Sequence, residues 1–199
     1  MIQSICTLDW ELVIPAAQAL AMFLGVWVAW CGLQTWRAQL KGTREYELAL
    51  AILRDAYKMR YAFAHFRSNL RNINVDLSRE FAQERFDAET KDWDERSKVV
   101  FEALESLKVQ ALEAEVVFGD KEITECAEEF YKIYAKIWYV VKEHLRYKNP
   151  KFSGHYGEEM MIQHHRVLFR GEEEDPIEPQ ISALIVKIEN HLKPYLQRK

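Results

Sequence analysis

The run LVIPAAQALAMFLGVWVAWCGL, from Leu12 to Leu33, decides how the rest of the chain is read. No charged residue stands between Glu11 and Arg37, and within the run Gln18 alone is frankly polar. At a helical rise of ~1.5 Å per residue these residues reach roughly 33 Å, enough for a hydrocarbon core about 30 Å thick. Trp10 at one end and Trp27, Trp30 and Trp36 toward the other match the aromatic belts of a membrane interface. Pro15 falls in the first turn, where its missing N–H breaks no hydrogen bond. Together they predict a transmembrane helix over residues 12–36.

Three other readings of the run fit less well. A cleaved signal peptide needs a basic start, whereas QSICTLDWE contains neither Lys nor Arg. A lipoprotein cut before Cys31 needs a small residue where Trp30 stands. A buried helix of a soluble domain is disfavoured by apolarity all round over this length. Orientation follows from charge. The flank at residues 1–11 holds Asp9 and Glu11 and no basic side chain, whereas Arg37, Lys41 and Arg44 follow the span with no acid before Glu45. The Lys/Arg excess marks the cytoplasmic side. Residues 1–11 are therefore expected outside, residues 37–45 as a basic junction and residues 46–199 in the cytosol, with a bacterial inner membrane as the expected location. That reducing compartment keeps Cys126 a thiol.

Working outward, the 199 residues suit one domain or a domain plus an anchor, and 49% of them are hydrophobic. A formal net charge of −4 argues against the broad basic surface of a dedicated nucleic-acid binder. Three cysteines with no CxxC spacing exclude a disulfide scaffold or zinc knuckle.

Residues 46–199 alternate helical periods with short punctuation and show no convincing strand. From Glu45 to Ser68, the rows Tyr46, Ala49, Leu53, Tyr57, Ala64 and Leu48, Ile52, Ala56, Met59, Phe63, Phe66 make one broad apolar face. A polar break over 69–76 precedes a long helix from Ser78 to Phe118, where Phe86, Trp93, Val100, Leu107 and Ala114 recur every seven residues. Thr90 and Ser97 occupy core-type places in that helix and weigh against a parallel coiled coil between chains. Gly119 reads as a stop and Asp120 as the next N-cap. The row Ile123, Ala127, Phe130, Tyr134, Ile137, Val141 follows, closed by Asn149–Pro150. A short helix over Glu158–Arg170, an exposed acidic turn and a last helix ending near Pro194 complete the chain. The expected fold is all-α: an N-terminal transmembrane helix followed by an antiparallel bundle of about four helices.

The junction Trp36–Arg37–Ala38–Gln39–Leu40–Lys41–Gly42–Thr43–Arg44–Glu45–Tyr46–Glu47–Leu48–Ala49 can set Trp36 at headgroup level and Arg37, Lys41 and Arg44 against anionic phosphates. Gly42 would permit a bend there, and Thr43 would cap the cytosolic helix. This Trp…Leu-x-Gly…Tyr-Glu-Leu-Ala pattern resembles uncharacterised bacterial and prophage proteins with one N-terminal membrane helix and a helical cytosolic region. The resemblance covers about the first third of the chain. It implies a prophage or host-defence setting, and it carries no activity and no functional residue across.

Other constellations have plainer explanations. Arg54, Lys58, Arg60, Arg67 and Arg71 interleave with Tyr57, Tyr61, Phe63 and Phe66, but the aromatics fall on rows a core needs. The basic residues there are expected to meet lipid or the acidic second helix, and no nucleic acid is expected. His155, His164 and His165 near Glu158 and Glu159 form neither HExxH nor a di-iron Glu-x-x-His pattern, and adjacent histidines on a helix diverge by about 100°. No nucleophile elbow, P-loop or dinucleotide fingerprint occurs. Cys126 reads as a small hydrophobe. No catalytic residue, metal or cofactor is assigned.

The expectation is a non-enzymatic, membrane-anchored interaction or scaffold protein, with lipid and either a protein partner or further copies of itself as partners. Glu172, Glu173, Glu174 and Asp175 and the exposed face of the 78–118 helix are candidate partner surfaces. The rival is a self-assembling, bilayer-perturbing effector, suggested by Ala17, Ala21 and Gly25 spaced by four along the span. An enzyme with a site hidden between helices is the third class.

Overall fold

The computed structural model describes residues 10–68, 82–152, 154, 157–170 and 175–197, and of residues 10–13 and 16 the backbone alone. The described residues contain five helices and no strand: α1 (Trp10–Phe66), α2 (Ala82–Phe118), α3 (Glu122–Lys148), α4 (Glu158–Leu168) and α5 (Glu178–Leu196). The chain divides into two compact units, Met1–Arg44 and Glu45–Lys199.

The Glu45–Lys199 unit has one continuous apolar core. Leu48, Ile52, Ala56, Met59, Phe63 and Phe66 of α1 are all buried, so this row is the core face. Of the companion row only Ala49 is buried: Tyr46 and Tyr57 remain exposed and Leu53 and Ala64 half-buried, so the buried face is narrower than the sequence suggests. On α2 the seven-residue row Trp93, Val100, Leu107, Ala114 is buried, with Leu104 and Ala111 beside it and Phe86 packed at the margin. The core-type hydroxyls turn back on their own helix: Thr90 donates to the Phe86 carbonyl at 2.8 Å and Ser97 to that of Asp94 at 3.0 Å.

Helix α3 packs on α2, α4 and α5. Its ten buried residues explain how it meets several neighbours. Aromatic rings join the elements: Phe63 stacks on Phe130 with centroids 6.3 Å apart, and Phe66 meets Trp93 edge-on at 5.5 Å.

The punctuation follows local chemistry. Gly119 takes φ 81°, a left-handed conformation, and its N–H donates to the Glu115 carbonyl at 3.1 Å, ending α2. Gly119→Ala is expected to cost about 1–2 kcal/mol through backbone strain alone, because a Cβ there meets nothing within 4 Å. A lowered urea midpoint with an unchanged slope checks it. Asp120 sits one place before the N-cap position, Lys121, yet its carboxylate accepts the Glu122 N–H at 3.1 Å. Asn149 ends α3 in the extended conformation that a following proline imposes. Pro194 lies inside α5, which runs on to Leu196. In a final turn the proline forfeits one hydrogen bond and the helix continues around it.

Candidate functional site

The Met1–Arg44 unit presents a helix with large apolar side chains exposed around its circumference. Phe23 is 76% exposed, Val26 70% and Trp27 65%, and Leu20, Met22, Val28 and Trp30 are similarly bare. Among the described residues, one helix is long and apolar enough to cross a membrane, and this stretch near the N-terminus is the part that makes it so. Isolated exposed apolar residues are ordinary, whereas a continuous surface of this kind calls for lipid or a partner. Ala17, Ala21 and Gly25 are exposed on it, and a Cβ added to Gly25 would meet no atom within 4 Å.

Trp36, Arg37, Lys41 and Arg44 are all exposed on α1. Helix α1 continues through Gly42 and Thr43, so the expected cap at Thr43 does not form. A helical glycine costs only about 1 kcal/mol against alanine, and the helix formers on both sides outweigh it.

The basic residues after the junction serve the fold. Arg67 is buried against the chain leading from α4 into α5. Its Nε donates to the Val167 carbonyl at 2.8 Å, and one Nη donates to the carbonyls of Arg166 and Phe169 and to Asp175 Oδ1, the last at 2.8 Å. In return the Arg67 carbonyl accepts the Arg170 N–H at 3.0 Å. Asp175 also accepts the N–H groups of Ile177 and Glu178, at 2.9 and 3.2 Å, and so organises the start of α5. Burial pushes the Asp175 carboxyl up, but the Arg67 guanidinium and these two N–H donors outweigh it and hold the group below the usual aspartate range.

Asp175 is therefore occupied within the chain rather than displayed on an acidic turn; Glu172, Glu173 and Glu174 lie outside the described residues. Arg96, also buried, donates to the Ser68 carbonyl at 2.8 Å and holds Asp92 at 3.1 Å, covering carbonyls that the end of α1 leaves without helical partners. Arg60 pairs with Glu178 at 3.3 Å and Lys58 with Asp55 at 2.8 Å. The partners of Lys58, Arg60 and Arg67 thus lie within α1 or at and just before the start of α5 rather than on α2, and Arg71 lies outside the described residues. Phe63 and Phe66 are in the core, which leaves only Tyr57 and Tyr61 of the supposed stacking face exposed.

Among the described residues no group of three or more His, Cys, Asp or Glu is placed to hold a metal ion. His164 is held below the ordinary imidazole range, chiefly by burial and then by the nearby His144 charge. His155 lies outside the described residues. Cys126 is buried, and burial pushes its thiol up, away from nucleophile chemistry.

A second surface, missed residue by residue in the sequence, is a cleft of about 520 Å³ between α2 and α3. Leu104 and Ala127 form its floor, Phe101, Leu112 and Tyr131 its apolar walls, and Glu105, Lys108 and Glu128 stand around it. Among the described residues Glu105 and Lys108 make no hydrogen bond or ion pair. The signal that could have found it is the second apolar row on α2, Phe101, Val109, Leu112 and Val116, which lies off the seven-residue core row and stays exposed.

Comparison with protein-family models, with curated proteins and with solved structures gives no match.

Proposed function

We propose that the protein is a single-pass, membrane-anchored helical interaction or scaffold protein without enzymatic activity. Residues 12–36 cross a bacterial inner membrane, residues 1–11 lie outside, and the cytosolic part packs as an antiparallel bundle of about four helices. The observation that carries the reading is the bare apolar helix at 14–40, whose exposure in water would be costly at about 25 cal/mol per Å² of apolar surface. Trp36, Arg37, Lys41 and Arg44 then meet the inner-leaflet headgroups, each basic group contributing about 1 kcal/mol there. The resemblance of the 36–49 junction to bacterial and prophage single-pass proteins belongs to the same proposal.

Anchoring confines the cytosolic surface to two dimensions and raises its effective concentration, so a modest helical interface suffices for a protein partner or a second copy. The self-assembling effector is the second reading, favoured by the open Ala17, Ala21, Gly25 row, along which helices can approach closely.

Alkaline carbonate washing of membranes carrying the full-length chain tests the anchor, with retention in the pellet expected. Recovery in the supernatant without detergent would reject it. Induced dye leakage from vesicles, abolished by Gly25→Leu, would shift the reading to the effector.

A further inference from the structure

On α2, the residues Lys98, Phe101, Glu105, Lys108, Leu112 and Glu115 follow one another at spacings of three and four, the seam pattern of paired helices. The first five are exposed and Glu115 is half-buried, so the stripe lies on the outer side of α2, beside the α3 cleft. Its order is palindromic in chemistry. Laid antiparallel on a copy of itself about an axis between Ser106 and Leu107, Phe101 faces Leu112, Glu105 faces Lys108, and Lys98 faces Glu115. A two-fold axis makes each of these contacts twice.

We infer that this stripe is a self-association surface and that its occupant is α2 of a second copy of the chain. The inference rests on the interaction-protein reading above and gives that reading a surface and a partner.

Charge complementarity selects this occupant. Glu105 and Lys108 are near neighbours on the helix, yet neither has a partner among the described residues, so both are available across the axis. Glu115 already holds Lys121 at 3.5 Å, which makes Glu105 with Lys108 the pair that discriminates. The apolar part, Phe101 and Leu112 with exposed Val109 and Val116 alongside, covers about four turns, or roughly 22 Å of helix. A partner carrying one sign of charge would leave half of the stripe opposed to like charge, whereas a second copy satisfies both signs in one register.

The test is a charge exchange in the full-length protein in detergent, read as dimer dissociation by analytical ultracentrifugation. Glu105→Lys alone sets lysine against Lys108 twice, and Lys108→Glu alone sets glutamate against Glu105 twice. Each is expected to weaken the dimer about tenfold or more. The double variant Glu105→Lys with Lys108→Glu is expected to return to within about threefold of the parent, because the pair is rebuilt with its signs exchanged. Both positions are exposed, so the melting temperature reports separately that the fold is intact.

A parent that stays monomeric, an association unmoved by the single reversals, or a double variant as weak as the singles would each overturn the inference. The carbonate wash on the same variants separates the two claims. Protein retained in membranes with an insensitive or absent dimer overturns the stripe alone, and protein lost to the supernatant overturns the anchored reading.

Discussion

Arg67→Met is expected to destabilise the Glu45–Lys199 unit by about 3–5 kcal/mol, the range for removing one member of a buried ion pair. Methionine retains much of the volume, so the loss is electrostatic rather than a cavity. Asp175 keeps its negative charge with no guanidinium beside it, and the carbonyls of Arg166, Val167 and Phe169 lose the donor they share. A buried polar group left unsatisfied costs about 1–3 kcal/mol, so several at one point accumulate quickly. Against a typical domain stability of about 5–15 kcal/mol this is a large fraction. Chemical denaturation of the full-length protein in detergent measures it, and a loss below about 1 kcal/mol would remove Arg67 from its central place in the fold.

The same contact sets a pH dependence. The Asp175 carboxyl is held low in the folded state, so between its folded and unfolded values the unfolded chain binds more protons. The contribution is complete above the unfolded aspartate value near 3.9 and falls away as the pH drops through the folded value. Asp175→Asn abolishes this part of the acid limb, whereas a limb of unchanged shape would contradict the assignment.

The second large effect concerns the proposed membrane span. Leu24→Arg with Val28→Arg places two charges near the middle of residues 12–36, at about 2.5–3.5 kcal/mol each on insertion scales. Together, roughly 5–7 kcal/mol should move much of the protein from the carbonate-resistant pellet to the soluble fraction or to degradation. Both positions stand open, with Leu24 53% and Val28 64% exposed. Urea unfolding of the Glu45–Lys199 unit should be unchanged, because both residues belong to the other unit. Undiminished membrane retention would show that the span is not the anchor.

Much of the helical plan can be read from spacing alone. The row from Trp93 to Ala114 and the row from Ile123 to Val141 are periodic enough that helix and core face follow from them, and the burial agrees except at half-buried Tyr134. Gly119 and Asn149 stop their helices through backbone chemistry that needs no tertiary partner. Arg67 was legible only as a basic residue. Its position four after Phe63 continues the buried row, but periodicity cannot say that a charge there has a partner. That partner is 108 residues away, beyond the reach of any local pattern. Asp175 escapes local pattern for the same reason: an acidic run beside a proline reads as solvated until a buried guanidinium is placed next to it.

What the amino-acid order determined by itself is whatever depends on composition within one helix: an uncharged stretch long enough for a bilayer, the charge bias after it, the helical periods and their stops. These follow from hydration and backbone geometry, which act on neighbours in the chain. Tertiary structure alone decided which charges are buried in pairs and which apolar row stays outside. Both outcomes depend on what another helix brings within a few ångströms, since a low-dielectric contact forms only after packing has removed the water between its members.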